Sequence, residues 1–298
     1  MNFISINNGS QVWATLPALL QIALFFAAWV LLWLPLALVV LLAIRQAPKF
    51  PVPAEQKFPL LISLYLVAPG LLWGIAHGLG HTDLAAYGWD WGAPLIRGIG
   101  QGALLGIVGV AILTAIQLLA RWRLPQPSGH GWLTKGGIAL GLGGLTLAIS
   151  AIEELVFRGF IVNQLQGDFS LIGVLLISSV IFALLHLVWD GPAGVPQLPG
   201  LVMMGAVLWL GRWAQGGLIG IPCGLHWGWI WSLAVLDTLG VMGPNPKAPN
   251  WLVGRPDQPL TSPLVLALMA VTALVLVAWP PLGTAPLVGA AAMAPPVP

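Results

Sequence analysis

Charge is what this sequence lacks most. Only 7% of its 298 residues are Asp, Glu, Lys or Arg, against roughly 25% in soluble domains. Eleven basic and nine acidic side chains cannot furnish a water-facing skin for a chain that is 58% apolar. A soluble globule is excluded, and the bilayer is the solvent. The net charge of +2 and the want of any basic run leave no electrostatic surface for nucleic acid. A single cysteine, Cys223, excludes an intrachain disulfide and a multi-cysteine metal site. Residues 1–15 hold no Lys or Arg, so the basic start of a secretory signal is missing. The first apolar run, 16–44, far exceeds the roughly 7–15-residue core of such a signal and is expected to stay as a span.

What is there in plenty is long apolar sequence. A helix needs about 20 residues to cross the hydrocarbon core, and only helices or closed barrels satisfy their backbone there. The runs are continuous rather than alternating, so the expected fold is an all-α polytopic transmembrane bundle of about eight spans: 16–44, 58–77, 99–120, 137–162, 169–188, 198–212, 217–239 and 263–279. The sixth is short and begins beside a proline. Three regions follow: residues 1–135 with three spans, 136–240 with four, and 241–298 with a loop, the last span and a Pro/Ala-rich tail. With eight spans, Arg45, Lys49, Lys57, Arg121, Arg123, Lys135, Lys247 and Arg255 share one side, and only Arg97 and Arg212 lie opposite. The excess of Lys and Arg marks the cytoplasmic side, which puts both termini outside. Loss of the sixth span would reverse everything after it.

Gly98, Gly102 and Gly106 recur every fourth residue in the third run, as do Gly216, Gly220, Gly224 and Gly228 around the seventh. Such faces let helices approach closely in lipid, and the seventh helix is expected to lie tight against a neighbour. Many of the sixteen tryptophans fall near span ends, as interfacial belts do.

Ionisable side chains within a span cost about 2.5–3.5 kcal/mol each and are functional candidates. Three runs concentrate them: Glu153, Glu154 and Arg158 in the fourth, His186 in the fifth and His226 in the seventh. Glu154 precedes Arg158 by four, the favourable order for a helical ion pair, and reads as structural. Glu153 is turned about 100° away and must find its partner on another helix, with His186 and His226 as candidates. Phe182, one turn before His186, can wall its ring. Three arrangements are open at this point. One carboxylate and two imidazoles can hold a zinc ion with a place left for water. Glu153 with a histidine can activate water directly while the other histidine donates to an oxyanion. Or the groups form a charge-paired network that only locks three helices.

Glu153-Glu154-x-x-x-Arg158, Phe182-x-x-x-His186 and His226, in this order and in separate spans, resemble the three motifs of the CPBP family. That family includes type II CAAX prenyl proteases, bacterial immunity-type proteins and other intramembrane proteases. The resemblance covers 137–239, about a third of the chain. It implies an intramembrane endopeptidase acting on membrane-associated substrates, CAAX-type prenylated ones among them, with Glu153 as the base that activates water, helped by His186. It implies Glu154 and Arg158 as partners shaping the site, and His226 as oxyanion stabiliser or ligand. The family is argued both as metal-dependent, which here would set zinc on Glu153, His186 and His226, and as a metal-free glutamate protease. One departure stands out: many members carry Asn one turn after the third-motif histidine, where this chain has Ile230. An oxyanion donor lost there removes on the order of 10²–10³ in rate. This keeps open a catalytically silent membrane partner of the same fold, in an immunity or assembly role. A transporter is disfavoured by the want of internal repeats.

Weaker signals have local readings. His77 and His81 are spaced for a helical metal pair but flank a glycine-rich span end, as interfacial histidines do. Asp190, four after His186, can orient its ring or cap a loop. Asp237 reads as interfacial and Cys223 as a buried thiol.

Overall fold

The computed structural model describes residues 12–278, apart from 14, 50, 51, 82, 130, 256 and 257. Trp279, the Pro/Ala-rich tail and the N-terminal stretch through residue 11 lie outside the described residues. Eight long helices form an all-α bundle: α1 Ala18–Ala43, α2 Ala54–Gly78, α3 Ala93–Leu119, α4 Trp132–Glu154, α5 Leu171–Asp190, α6 Leu198–Ala214, α7 Gly220–Thr238 and α8 Pro263–Ala278. Each covers one apolar run of the sequence. Four helical stretches are long and apolar enough to cross a membrane: α1, Glu55–Gly78 in α2, α3, and the continuous Leu171–Ala214. α4 and α7, which carry Glu153, Glu154 and His226, are not among these four. Rows of exposed Leu and Val along α1, such as Leu31, Leu38 and Leu42, would be an aggregating patch in water and are ordinary in lipid.

The stretch Leu171–Ala214 is not one rod. A short 3₁₀ segment, Gly191–Gln197, turns the chain so that α6 doubles back on α5, and Gly205 sits against Ser179: a Cβ there would lie 2.9 Å from the Ser179 Cα. The short sixth run is therefore a separate helix.

Contacts between helix ends sort the bundle into two ends. At one end, Lys57 at the start of α2 pairs with Asp190 at the close of α5. Gln258 Nε2 donates to Ala193 O at 2.8 Å, and β1 (Arg123–Pro125) pairs antiparallel with β2 (Met242–Pro244). At the other end, Ala18 N donates to Asp168 Oδ2 at 2.6 Å, and Ile219 N to Gly88 O at 3.1 Å. Gln215 Nε2 there donates to Pro94 O at 2.8 Å. Consecutive helices thus run in opposite directions.

The glycine faces meet as backbone against backbone. A Cβ on Gly102 of α3 would come within 2.7 Å of Leu225 N, and one on Gly224 of α7 within 2.8 Å of Ala103 N. Gly106 and Gly228 repeat the contact one turn on, their Cβ positions 3.1 and 3.2 Å from each other's Cα. Residue numbers rise together along the seam, so α3 and α7 are parallel. Gly216 does not belong to it: it lies in the turn before α7 with φ +67°, a left-handed conformation that glycine adopts without strain.

α4 continues without a break through a π-helical segment, Leu155–Ile161, into Val162–Gln166. Such widened turns leave main-chain carbonyls without their usual helical donors. Arg212 supplies them from α6: its guanidinium donates to Arg158 O, to Gly159 O at 3.2 Å and to Asn163 Oδ1 at 2.5 Å, while its Nε meets Gly217 O at 3.0 Å. This corrects the charge count above. Arg212 is buried and is not a loop cation, because the π-helical segment consumes it.

Candidate hydrolytic site

Two adjacent glutamates at the C-terminal end of α4 meet the middle of α7 inside the bundle. Glu154 is fully buried, and its Oε1 accepts from Arg158 Nη1 at 3.0 Å and from His226 Nδ1 at 2.8 Å. The Arg158 guanidinium also donates to Gly205 O at 3.2 Å and lies 4.4 Å over the Phe182 ring, a cation–π contact that a desolvated arginine makes favourably. Glu154 therefore does more than neutralise Arg158. A carboxylate only accepts, so the Nδ1 proton of His226 points to Glu154, and the ring turns its Nε2 the other way.

That Nε2 faces Glu153, 3.8 Å from Oε2. The separation is too long for a direct hydrogen bond and suits one water touching both groups. The second oxygen, Oε1, accepts from the Tyr65 hydroxyl of α2. Glu153 and His226 are both buried, so charge developing between them is poorly screened.

His186 stands one ring away. Its Nδ1 lies 2.8 Å from Phe182 O. A carbonyl accepts, so the proton is on Nδ1 and Nε2 is the acceptor. Neither glutamate forms an ion pair with it. Phe182, with no exposed surface, is the common wall: its ring centroid is 4.6 Å from that of His186, 6.3 Å from that of His226 and 5.0 Å from that of Phe157. Glu153, Glu154, Arg158 and His226 are thus brought into one contact group, with His186 against the same phenylalanine.

The candidate zinc set does not gather as a cage. Among the described residues no three His, Cys, Asp or Glu side chains come together to hold an ion. Glu153 and His226 approach each other, and His186 shares the Phe182 wall with His226.

The other candidates fall elsewhere. Asp190 is taken by Lys57 rather than by the His186 ring. His77 and His81 are exposed, with the His77 ring stacked on Trp73 at 4.6 Å. Asp237 is exposed and Cys223 is buried. Ile230 is half-buried one turn beyond His226. Trp227 and Trp231 are no belt residues: their indole N–H groups donate to Gly143 O at 3.0 Å and Ala139 O at 2.8 Å, tying α7 to α4. Spacing gave no sign of Tyr65, although one signal existed. It is one of two tyrosines in the chain and sits in the middle of an apolar run rather than at its ends.

Buried carboxylates at the end of α4 and a carboxylate-held imidazole on α7 are groups able to hold and polarise a water. Residues 135–232 match the family model described as type II CAAX prenyl endopeptidase Rce1-like. The chain carries an Rce1-like domain over that segment, consistent with a protease of the CPBP family, and it is a membrane protein. No curated protein and no solved structure matches the chain. The matched segment contains Glu153, Glu154, Arg158, His186 and His226, and leaves out Tyr65.

Proposed function

We propose that this chain is an intramembrane endopeptidase that hydrolyses a peptide bond in a membrane-associated, CAAX-type prenylated substrate. The observation that carries the reading is His226, held through Nδ1 by Glu154 at 2.8 Å while Nε2 faces Glu153 Oε2 at 3.8 Å inside the bundle. A water between the two gives its proton to the Glu153 carboxylate as its oxygen attacks the scissile carbonyl carbon. In its doubly protonated form the His226 ring donates from Nε2 to the resulting oxyanion. The C–N bond then breaks as Glu153 passes its proton to the leaving amine. His186, with Nε2 as acceptor, assists Glu153 through water.

Ile230 favours a second reading, a catalytically silent membrane partner, because it presents no donor to an oxyanion. Reconstituted protein given a prenylated membrane-anchored peptide reporter separates the two. Cleavage of the prenylated reporter, faster than that of its unprenylated twin, is the expected result. A reporter that stays intact in both forms overturns the protease reading in favour of the silent one.

The same reading sets all eight helices across the bilayer, with the Lys57–Asp190 end in the cytoplasm. Eight basic residues lie in connections or first helical turns at that end, and Arg97 is the exposed one at the other once Arg212 is assigned to the π-helical segment. Cysteines placed at Lys49, Arg123 and Lys247 should stay unlabelled by an impermeant reagent added to intact cells. Native Cys223 is buried and adds little background. Labelling at all three positions would reverse the orientation.

A further inference from the structure

Tyr65 belongs to α2, outside the segment that matches the family model, yet its hydroxyl donates to Glu153 Oε1 across 88 residues of sequence. We infer that Tyr65 is a positioning residue for hydrolysis and that the working unit extends from the matched domain to α2. The inference rests on Glu153 being the base.

A carboxylate offers two equivalent oxygens, and its terminal torsion is soft. A base that must take one proton from one water gains from having one oxygen occupied, because the other is then held at a fixed angle. With Oε1 engaged by the phenol, Oε2 is the oxygen left facing His226 Nε2 at 3.8 Å. The phenol thereby selects which oxygen works.

The tyrosine is itself held by its neighbours in sequence. Leu64 O accepts from Trp29 Nε1 at 2.9 Å, and Ser63 Oγ accepts from Trp33 Nε1 at 2.9 Å. Both bonds tie α2 to α1 immediately beside residue 65. Lys57, two turns earlier, ties α2 to α5 through Asp190. A buried tyrosine usually finds some partner, so a bond alone is weak evidence of purpose. The other tyrosine supplies the contrast: Tyr87 is buried and its hydroxyl has no partner among the described residues. This fold does not oblige its tyrosines to pair, and the one that does pair meets the base.

With only two tyrosines, the test can be made site-specific. In a Tyr87→Phe background, 3-fluorotyrosine incorporated throughout labels residue 65 alone and gives one fluorine resonance. That resonance should move on Glu153→Gln. In the cleavage assay, Tyr65→Phe should lower kcat by about tenfold to a hundredfold, as for loss of a hydrogen bond to a charged group. KM and the melting temperature should stay near those of the parent, which a merely structural role would not produce. A Phe variant with the parent's kcat, or one that loses activity only in step with its folding, overturns the assignment. So does a resonance indifferent to Glu153→Gln. A parent protein that cleaves nothing removes the protease reading and this role together, whereas an active parent with an equally active Phe variant removes this role alone.

Discussion

Replacing Glu153 with glutamine is expected to lower cleavage of a membrane-anchored reporter by ~10² or more while leaving the melting temperature in detergent close to that of the parent. The amide keeps the side chain's shape and an oxygen that can still accept from Tyr65. What it loses is the ability to take a proton from water. Arg158 is bonded to Glu154 and His226 keeps its shorter contact with Glu154, so little stability goes with the Glu153 charge. A Glu153→Gln variant that cleaves at the parent's rate, or one that melts early, would show that Glu153 is a structural group.

Replacing Glu154 with glutamine should do the opposite first and both in the end. Its Oε1 serves two donors, from Arg158 and His226, and its Oε2 is buried with no partner among the described residues. An amide brings a donor of its own. Turned one way, that donor faces two other donors; turned the other way, it occupies the position without an acceptor. Arg158 also loses its counter-charge in a buried setting, and breaking a buried pair from one side costs about 3–5 kcal/mol. Early melting is therefore expected, with cleavage reduced as well because His226 loses the charged group that orients it. Melting temperature and cleavage measured side by side check this. A Glu154→Gln variant as stable as the parent would refute the role of Glu154 as anchor.

The parts of the fold legible in the sequence are those written in local pattern. Apolar runs marked the eight helices because composition alone decides what a bilayer tolerates. Glycines four apart showed the α3–α7 face, and a spacing of four showed the Glu154–Arg158 pair. The remainder depends on side chains that meet across long stretches of chain. Nothing in the neighbourhood of Asp190 points to Lys57, 133 residues away, so its spacing from His186 suggested the wrong partner. Position at the end of the sixth run made Arg212 look like a surface charge, because the π-helical segment that uses it leaves no mark in residue spacing. Gly216 keeps the four-residue rhythm of its neighbours and yet belongs to a turn. For His186, spacing located the residue on its helix but not the Phe182 ring that it shares with His226.

The α3–α7 seam has a mechanical consequence. Main chain resting on main chain cannot slide or roll without collision, so these two helices act as a stator that fixes His226. Side-chain ties, such as Lys57–Asp190 and the two tryptophan bonds of α2, can be broken and remade one at a time. On the proposed reading, an opening that admits a polypeptide would be made at the cheaper joints around α2, while the wall bearing His226 stays still.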